Sequence, residues 1–154
     1  MPLRSVTLLG ATGSVGRSVR DVAAENPGRL SIATVVGGRD AQALARTAVE
    51  TGASFAALAD AAGGAALKQA LSGTGIACGA GRSAVLEAVD RPADIVVSAI
   101  SGAAGLEATF AALQPGRAIA LANKESLVCA GGAVMARAAE VGARLLPLDS
   151  EHNA

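Results

Sequence analysis

Tryptophan and tyrosine are missing from this chain of 154 residues, and its only phenylalanines are Phe55 and Phe110. Proteins that grip nucleic acid combine aromatic faces for stacking with a surplus of basic side chains. Here 13 Lys and Arg are balanced by 13 Asp and Glu, so nucleic acid is not an expected partner. No apolar run approaches the roughly 20 residues of a membrane-spanning helix, and a membrane is not expected either. The first ten residues carry one early Arg4 and end in Gly10. They read as a short strand and not as a signal peptide. The two cysteines, Cys78 and Cys129, show no CxxC spacing and no histidine cluster around them. A zinc cluster, a disulfide framework and a cysteine nucleophile are therefore not expected; two reduced, buried thiols of a cytoplasmic protein are. Repeats, low-complexity tails and linkers are also absent. The length is that of one domain, able to bury roughly 70% of its unfolded surface. The abundance of Ala, Gly and Arg over Lys suggests a GC-rich bacterial genome.

What the chain does contain is alternation. Apolar, β-branched runs at residues 5–9, 30–36, 55–58, 94–99, 118–121 and 144–148 are predicted strands. Most are continuously apolar, as parallel strands buried on both faces must be. Helical stretches at 15–25, 41–51, 65–71, 83–89, 106–113 and 134–141 lie between them. Asn26-Pro27-Gly28, Gln114-Pro115-Gly116 and Gly142 supply the helix stops. A further small strand near 76–78 is possible. The order predicts an α/β fold, a doubly wound, Rossmann-like parallel sheet in a single domain.

Gly10-Ala11-Thr12-Gly13-Ser14-Val15-Gly16 follows the first strand and opens the first helix. In a GxxGxxG turn the first glycine permits the tight bend, the second lets backbone approach a pyrophosphate, and the third lets helix and strand pack closely. The N–H groups of Thr12, Gly13, Ser14 and Val15 would face phosphates at a helix N-terminus. An enzyme selective for NAD usually places Asp or Glu at the end of the second strand. This chain reads Gly37-Gly38-Arg39-Asp40 instead. Arg39 stands where a 2′-phosphate would sit, which favours NADPH over NADH; the alternative is a solvated loop charge. Asp40 is expected to cap the second helix.

Three more segments follow predicted strands at the end where open α/β sheets bind ligands. Ser98 to Gly105 is small enough for a cofactor ring to lie on backbone. Asn123-Lys124-Glu125-Ser126 comes next, and then Asp149-Ser150-Glu151. Asp149 and Glu151, two apart in an extended segment, share one side. Such a pair either holds Mg²⁺ or Mn²⁺ or simply ends a strand in water. Lys124 taken alone is a solvated cation, and His152 alone is a surface or core histidine.

Together the segment Ala120-Leu-Ala-Asn-Lys-Glu-Ser-Leu-Val128, the segment Leu146-Pro-Leu-Asp-Ser-Glu-His-Asn-Ala154 and the glycine turn resemble the amino-terminal part of the 1-deoxy-D-xylulose 5-phosphate reductoisomerase family, across the whole chain and in order. The resemblance implies an NADPH-dependent enzyme of isoprenoid biosynthesis by the non-mevalonate route. Its substrate is 1-deoxy-D-xylulose 5-phosphate and its product 2-C-methyl-D-erythritol 4-phosphate. It further implies cofactor contacts at Thr12, Gly13, Ser14, Val15, Gly38, Arg39, Asn123 and Glu125, and substrate contacts at Lys124, Ser150 and Glu151. Lys124 and Glu151 become the catalytic candidates, Asp149 and Glu151 the ligands of Mg²⁺ or Mn²⁺, and the parent enzyme a homodimer. Asp40 stands where the family often has Asn, which weakens the expected 2′-phosphate preference. Family members are much longer, so residues 1–154 are expected to be the NADPH-binding domain, ending where the catalytic, metal-binding domain starts. The chain by itself is expected to bind NADPH and turn over little substrate. Two alternatives stand beside this: a stand-alone NADP-sensing domain, or another NADPH-dependent reductase. A semialdehyde dehydrogenase would need a cysteine in a strand-end loop, where neither cysteine is expected.

Overall fold

Seven strands pair in parallel in the order β4-β3-β2-β1-β5-β6-β7, within a computed structural model that describes residues 2–101, 104–122 and 124–148 and, at 104 and 124–127, backbone alone. The strands are β1 (Arg4–Leu9), β2 (Leu30–Gly37), β3 (Phe55–Leu58), β4 (Ala77–Ala80), β5 (Ile95–Ser98), β6 (Ala118–Leu121) and β7 (Arg144–Pro147). The helices are α1 (Ser14–Glu25), α2 (Ala41–Thr51), α3 (Gly64–Ala70), α4 (Arg82–Asp90), α5 (Ala104–Ala112) and α6 (Lys124–Val141). Because side chains alternate along a strand, each central strand feeds two cores. Val6, Leu8, Val35, Leu58 and Val97 face one, with Leu44 of α2 and Leu67 of α3. Leu9, Val36, Phe55, Val96 and Ile119 face the other, with Val89 of α4, Ala108 of α5 and Val134 of α6. A bulge between Val6 and Thr7 of β1 skips Ala33 of β2 and so keeps both Ile32 and Val35 on the first face. The expected doubly wound sheet is therefore present.

Chain direction reverses about β1. Strands β1 to β4 step one way along the sheet; α4 then returns the chain to β5, beside β1 on its other side, and β6 and β7 continue outward. The carboxyl ends of β1 and β5 thus flank the switch point, the place where such sheets bind ligands.

Most elements lie within two residues of their expected limits, and α6 departs by more. Helix α6 begins at Lys124, ten residues ahead of its expected start, and is kinked at the non-helical Ala130 (φ −143°, ψ 25°), just before Gly131-Gly132. The glycine pair weakens helical propensity beside the kink, and burial of Val134 and Ala138 holds the segment that follows. Strand β4 runs two residues further than the expected small strand. It contains Gly79 because a Cβ there would come within 2.8 Å of the Ala84 Cβ.

The cysteines correct another expectation. Both are free, but Cys78 is only half-buried and Cys129 is exposed. Cys129 sits one residue off the α6 stripe of Ala130, Val134 and Ala138 that faces the core, which turns it outward. Phe55 is core and carries Arg91 over its ring at 3.9 Å, while Phe110 is exposed. Among the described residues no helix is long and apolar enough to cross a membrane.

Candidate functional site

The glycine turn is built by backbone. The N–H groups of Gly10 and Ala11 both donate to the Val36 carbonyl, at 2.9 and 2.8 Å, so the turn folds back over the end of β2. Gly10 has φ +85°, and a Cβ on it would lie 2.4 Å from the Ala99 carbonyl oxygen after β5. Only glycine allows that bend and that approach. Gly16, buried in the first turn of α1, is held for packing: its Cβ would meet the Gly10 oxygen at 2.4 Å and the Ala11 oxygen at 2.6 Å. Gly13 caps α1 with no side-chain bond, and no acidic residue occupies the first turn. Gly13 and Arg17 turn their N–H groups inward, to Gly10 and Gly13 carbonyls. Among the described residues the N–H groups of Thr12, Ser14 and Val15 have no protein acceptor. A bare helix N-terminus of this kind presents donors and a positive dipole end to an anion.

At the end of β2, Gly38 and Arg39 are exposed. Arg39 makes no ion pair among the described residues. Asp40 takes the expected capping role: its carboxylate accepts from the Ala43 N–H at 2.8 Å. That carboxylate therefore serves α2 and not Arg39. Gly37, which the sequence reading passed over, leaves room for Leu44, whose Cδ1 would be 3.1 Å from a Cβ.

On the other side of the switch point, Ala99 donates to the Leu9 carbonyl at 2.9 Å, and Ala122 donates to Ser98 at 2.9 Å. The rim is closed by Arg82 at the start of α4, which binds both carboxylate oxygens of Glu107 in the first turn of α5. That pair raises the pKa of Arg82, chiefly through its hydrogen bond to Glu107. No sequence spacing points to it, because its partners are 25 residues apart on different helices.

Of the sequence-predicted site residues, Thr12, Gly13, Ser14, Val15, Gly38 and Arg39 gather around the ends of β1 and β2. Lys124 and Glu125 open α6 just after β6, at the same carboxyl edge; their side chains lie outside the described residues. Asn123, Asp149, Ser150 and Glu151 lie outside the described residues altogether. Leu148, the last residue described, donates to the Leu121 carbonyl at 2.9 Å at that edge.

Comparison with known proteins follows the same geometry. The sequence model of the 1-deoxy-D-xylulose 5-phosphate reductoisomerase family matches residues 6–131. The reductoisomerase of Bradyrhizobium sp. (strain ORS 278) is 53% identical over 152 residues, which is 99% of this chain and 37% of that protein. Among solved structures, the reductoisomerase from Zymomonas mobilis in complex with NADPH superposes with a TM-score of 0.94 at 45% identity, covering 99% of this chain and 40% of its own. A second reductoisomerase, in complex with NADPH, fosmidomycin and magnesium, gives 0.92 at 39% identity, covering 99% of this chain and 38% of its own. The chain thus spans about two fifths of the length of the relatives it matches. With a family match over more than half its length and a shared fold, this chain belongs to the 1-deoxy-D-xylulose 5-phosphate reductoisomerase family.

Proposed function

We propose that residues 1–154 form the NADPH-binding domain of a 1-deoxy-D-xylulose 5-phosphate reductoisomerase, running to the start of its catalytic, metal-binding part. One conjunction carries this reading: among the described residues, an uncapped α1 with unpartnered N–H groups at the switch point lies beside an unpaired arginine at the end of β2. The site fits the cofactor. Thr12, Ser14 and Val15 would hold the pyrophosphate on backbone donors, Gly13, whose own N–H is spent on the Gly10 carbonyl, would let it approach the backbone, and Gly38 and Arg39 would hold the 2′-phosphate. Asn123 and Glu125 complete the cofactor contacts. The carboxylates of Asp149 and Glu151, outside the described residues, are hard oxygen donors suited to Mg²⁺ or Mn²⁺; among the described residues no group of three or more His, Cys, Asp or Glu assembles.

In the whole protein this domain would serve conversion of 1-deoxy-D-xylulose 5-phosphate to 2-C-methyl-D-erythritol 4-phosphate, a skeletal rearrangement followed by reduction. Bound NADPH supplies the hydride, and the metal supplies Lewis-acid polarisation of substrate oxygens. Anchoring the 2′-phosphate at Arg39 and the pyrophosphate at α1 places the nicotinamide on the β5–β7 side. There Lys124, Ser150 and Glu151 hold the substrate, with Lys124 and Glu151 as catalytic residues. The ammonium of Lys124 would balance negative charge on substrate oxygens. We place the protein in the bacterial cytoplasm as a homodimer without a nucleic-acid partner. Calorimetric titration with NADPH and NADH in parallel tests the domain's role: tight NADPH with weak NADH is expected, and binding of neither overturns it.

A further inference from the structure

Ser98 ends β5 and Thr109 lies in α5; both are fully buried, and their hydroxyl oxygens are 2.6 Å apart. The Thr109 hydroxyl also lies 2.7 Å from the carbonyl oxygen of Gly105. A carbonyl can only accept, so the single proton of Thr109 goes to Gly105, and Ser98 must donate to Thr109. The result is a directed chain, Ser98 to Thr109 to Gly105, from the end of a strand to the first turn of the next helix. Backbone bonds fix its first member at the switch point, where Ser98 accepts from Ala122 and Ala99 donates to Leu9, each at 2.9 Å. Burying two hydroxyls gains little stability over an apolar pair of the same shape, because each must first leave water. What a fully paired buried chain adds is one fixed geometry.

That geometry belongs to Ala99, Ile100 and Ser101, which leave β5 opposite the glycine turn. The carbonyl of Ala99 approaches Gly10 so closely that no Cβ fits between them. With the 2′-phosphate at Arg39 on one side of β1, the second nucleotide of a dinucleotide must lie on the β5 side. We propose, building on the NADPH reading above, that Ser98 and Thr109 are positioning residues for the nicotinamide half of the cofactor. Their hydroxyl chain holds the backbone of Ala99–Ser101 at the height the nicotinamide ribose and ring require.

The test separates the two halves of the ligand. Adenosine 2′,5′-bisphosphate carries the 2′-phosphate and no nicotinamide. Thr109→Val is expected to weaken NADPH by about tenfold while changing bisphosphate affinity by less than about twofold, and Thr109→Ser to restore NADPH. Ser98→Ala, which keeps the bond from Thr109 to Gly105, should shift NADPH in the same direction and serves if Thr109→Val does not melt cooperatively. Equal loss of both ligands, or unchanged NADPH affinity in both variants, overturns the inference. A wild-type chain that does not bind NADPH overturns the NADPH reading beneath it; a wild-type chain that binds NADPH, with variants that fail to separate it from the bisphosphate, overturns the positioning role alone.

Discussion

Arg39 leaves the end of β2 exposed, and its nearest carboxylate neighbour in sequence, Asp40, is engaged by the Ala43 N–H. Nothing in the described fold uses its charge, so Arg39→Ala should alter stability by no more than about 0.5 kcal/mol. A charge-assisted bond to a 2′-phosphate contributes about 1.5–3 kcal/mol, so the same variant should lose roughly ten- to a hundredfold in NADPH affinity and keep its NADH affinity. Calorimetry decides, and an unchanged NADPH dissociation constant removes Arg39 from the site. Thr7 is the opposite case: fully buried in β1, with a hydroxyl that has no partner among the described residues. Thr7→Val keeps the shape and removes an unpaired polar group, which should stabilise the chain by about 1 kcal/mol in urea unfolding; a destabilised variant would show that the hydroxyl is in use. The glycine turn and the capping by Asp40 were legible because each acts through neighbours close in sequence. Thr7 and Thr109 were not, since burial and partners on other elements decide what a threonine does.

Between elements, the amino ends of the strands are tied by one short exchange. The Asp94 carboxylate accepts from the Ser5 N–H at 2.8 Å and the Ser5 hydroxyl at 2.9 Å, joining the start of β1 to the entry of β5. Its own carbonyl accepts from Ala118, which brings in β6. These bonds from Ser5, backbone first and hydroxyl second, hold the Asp94 carboxyl below its ordinary pKa, with Arg4 adding a smaller pull. A carboxyl depressed in the folded state stabilises above its unfolded pKa of about 3.9 and loses that contribution as pH falls through the folded value. Asp94→Asn should therefore melt below the wild type at neutral pH, and the two melting curves should converge as the pH drops below about 4. A gap that persists in acid would mean that the carboxylate charge is not what matters. Nearby, buried Arg117 donates to the carbonyls of Val89 (2.6 Å) and Arg91 (2.7 Å) and closes the end of α4; burial lowers its pKa. Elements whose apolar pattern sets their own limits, such as α2 and β3, were predicted to the residue. Helix α6 was legible only from Val134 on, because the Gly-Gly pair reads locally as a boundary; the helix is indeed kinked beside it, at Ala130, and buried Val134 and Ala138 belong to the segment that follows the kink.

Across the whole molecule, two halves of the sheet meet along β1 and β5 in four residue pairs, from Val6 with Ile95 to Leu9 with Ser98. At the amino end that seam is reinforced by Ser5 and Asp94. At the carboxyl end it has the bond from Ala99 to Leu9 and the close approach at Gly10. A dinucleotide lying from Arg39 to Ala99–Ser101 would cross the seam there and tie both halves together. Ligand at a hundred times its dissociation constant contributes about 2.7 kcal/mol to the folded state. At about 2–4 °C per kcal/mol for a chain of this size, NADPH should raise the melting temperature by roughly 5–10 °C. Any ligand at the same relative excess would do that, so the size of the shift does not show which part of the sheet is bridged. Hydrogen exchange does. NADPH should slow the amides of Thr12, Ser14 and Val15 on one side of the seam and those of Ile100 and Ser101 on the other, while adenosine 2′,5′-bisphosphate should slow only those at the ends of β1 and β2. Protection confined to the β1–β2 side with NADPH itself would mean that the second nucleotide does not lie on β5, and the bridging arrangement would fail.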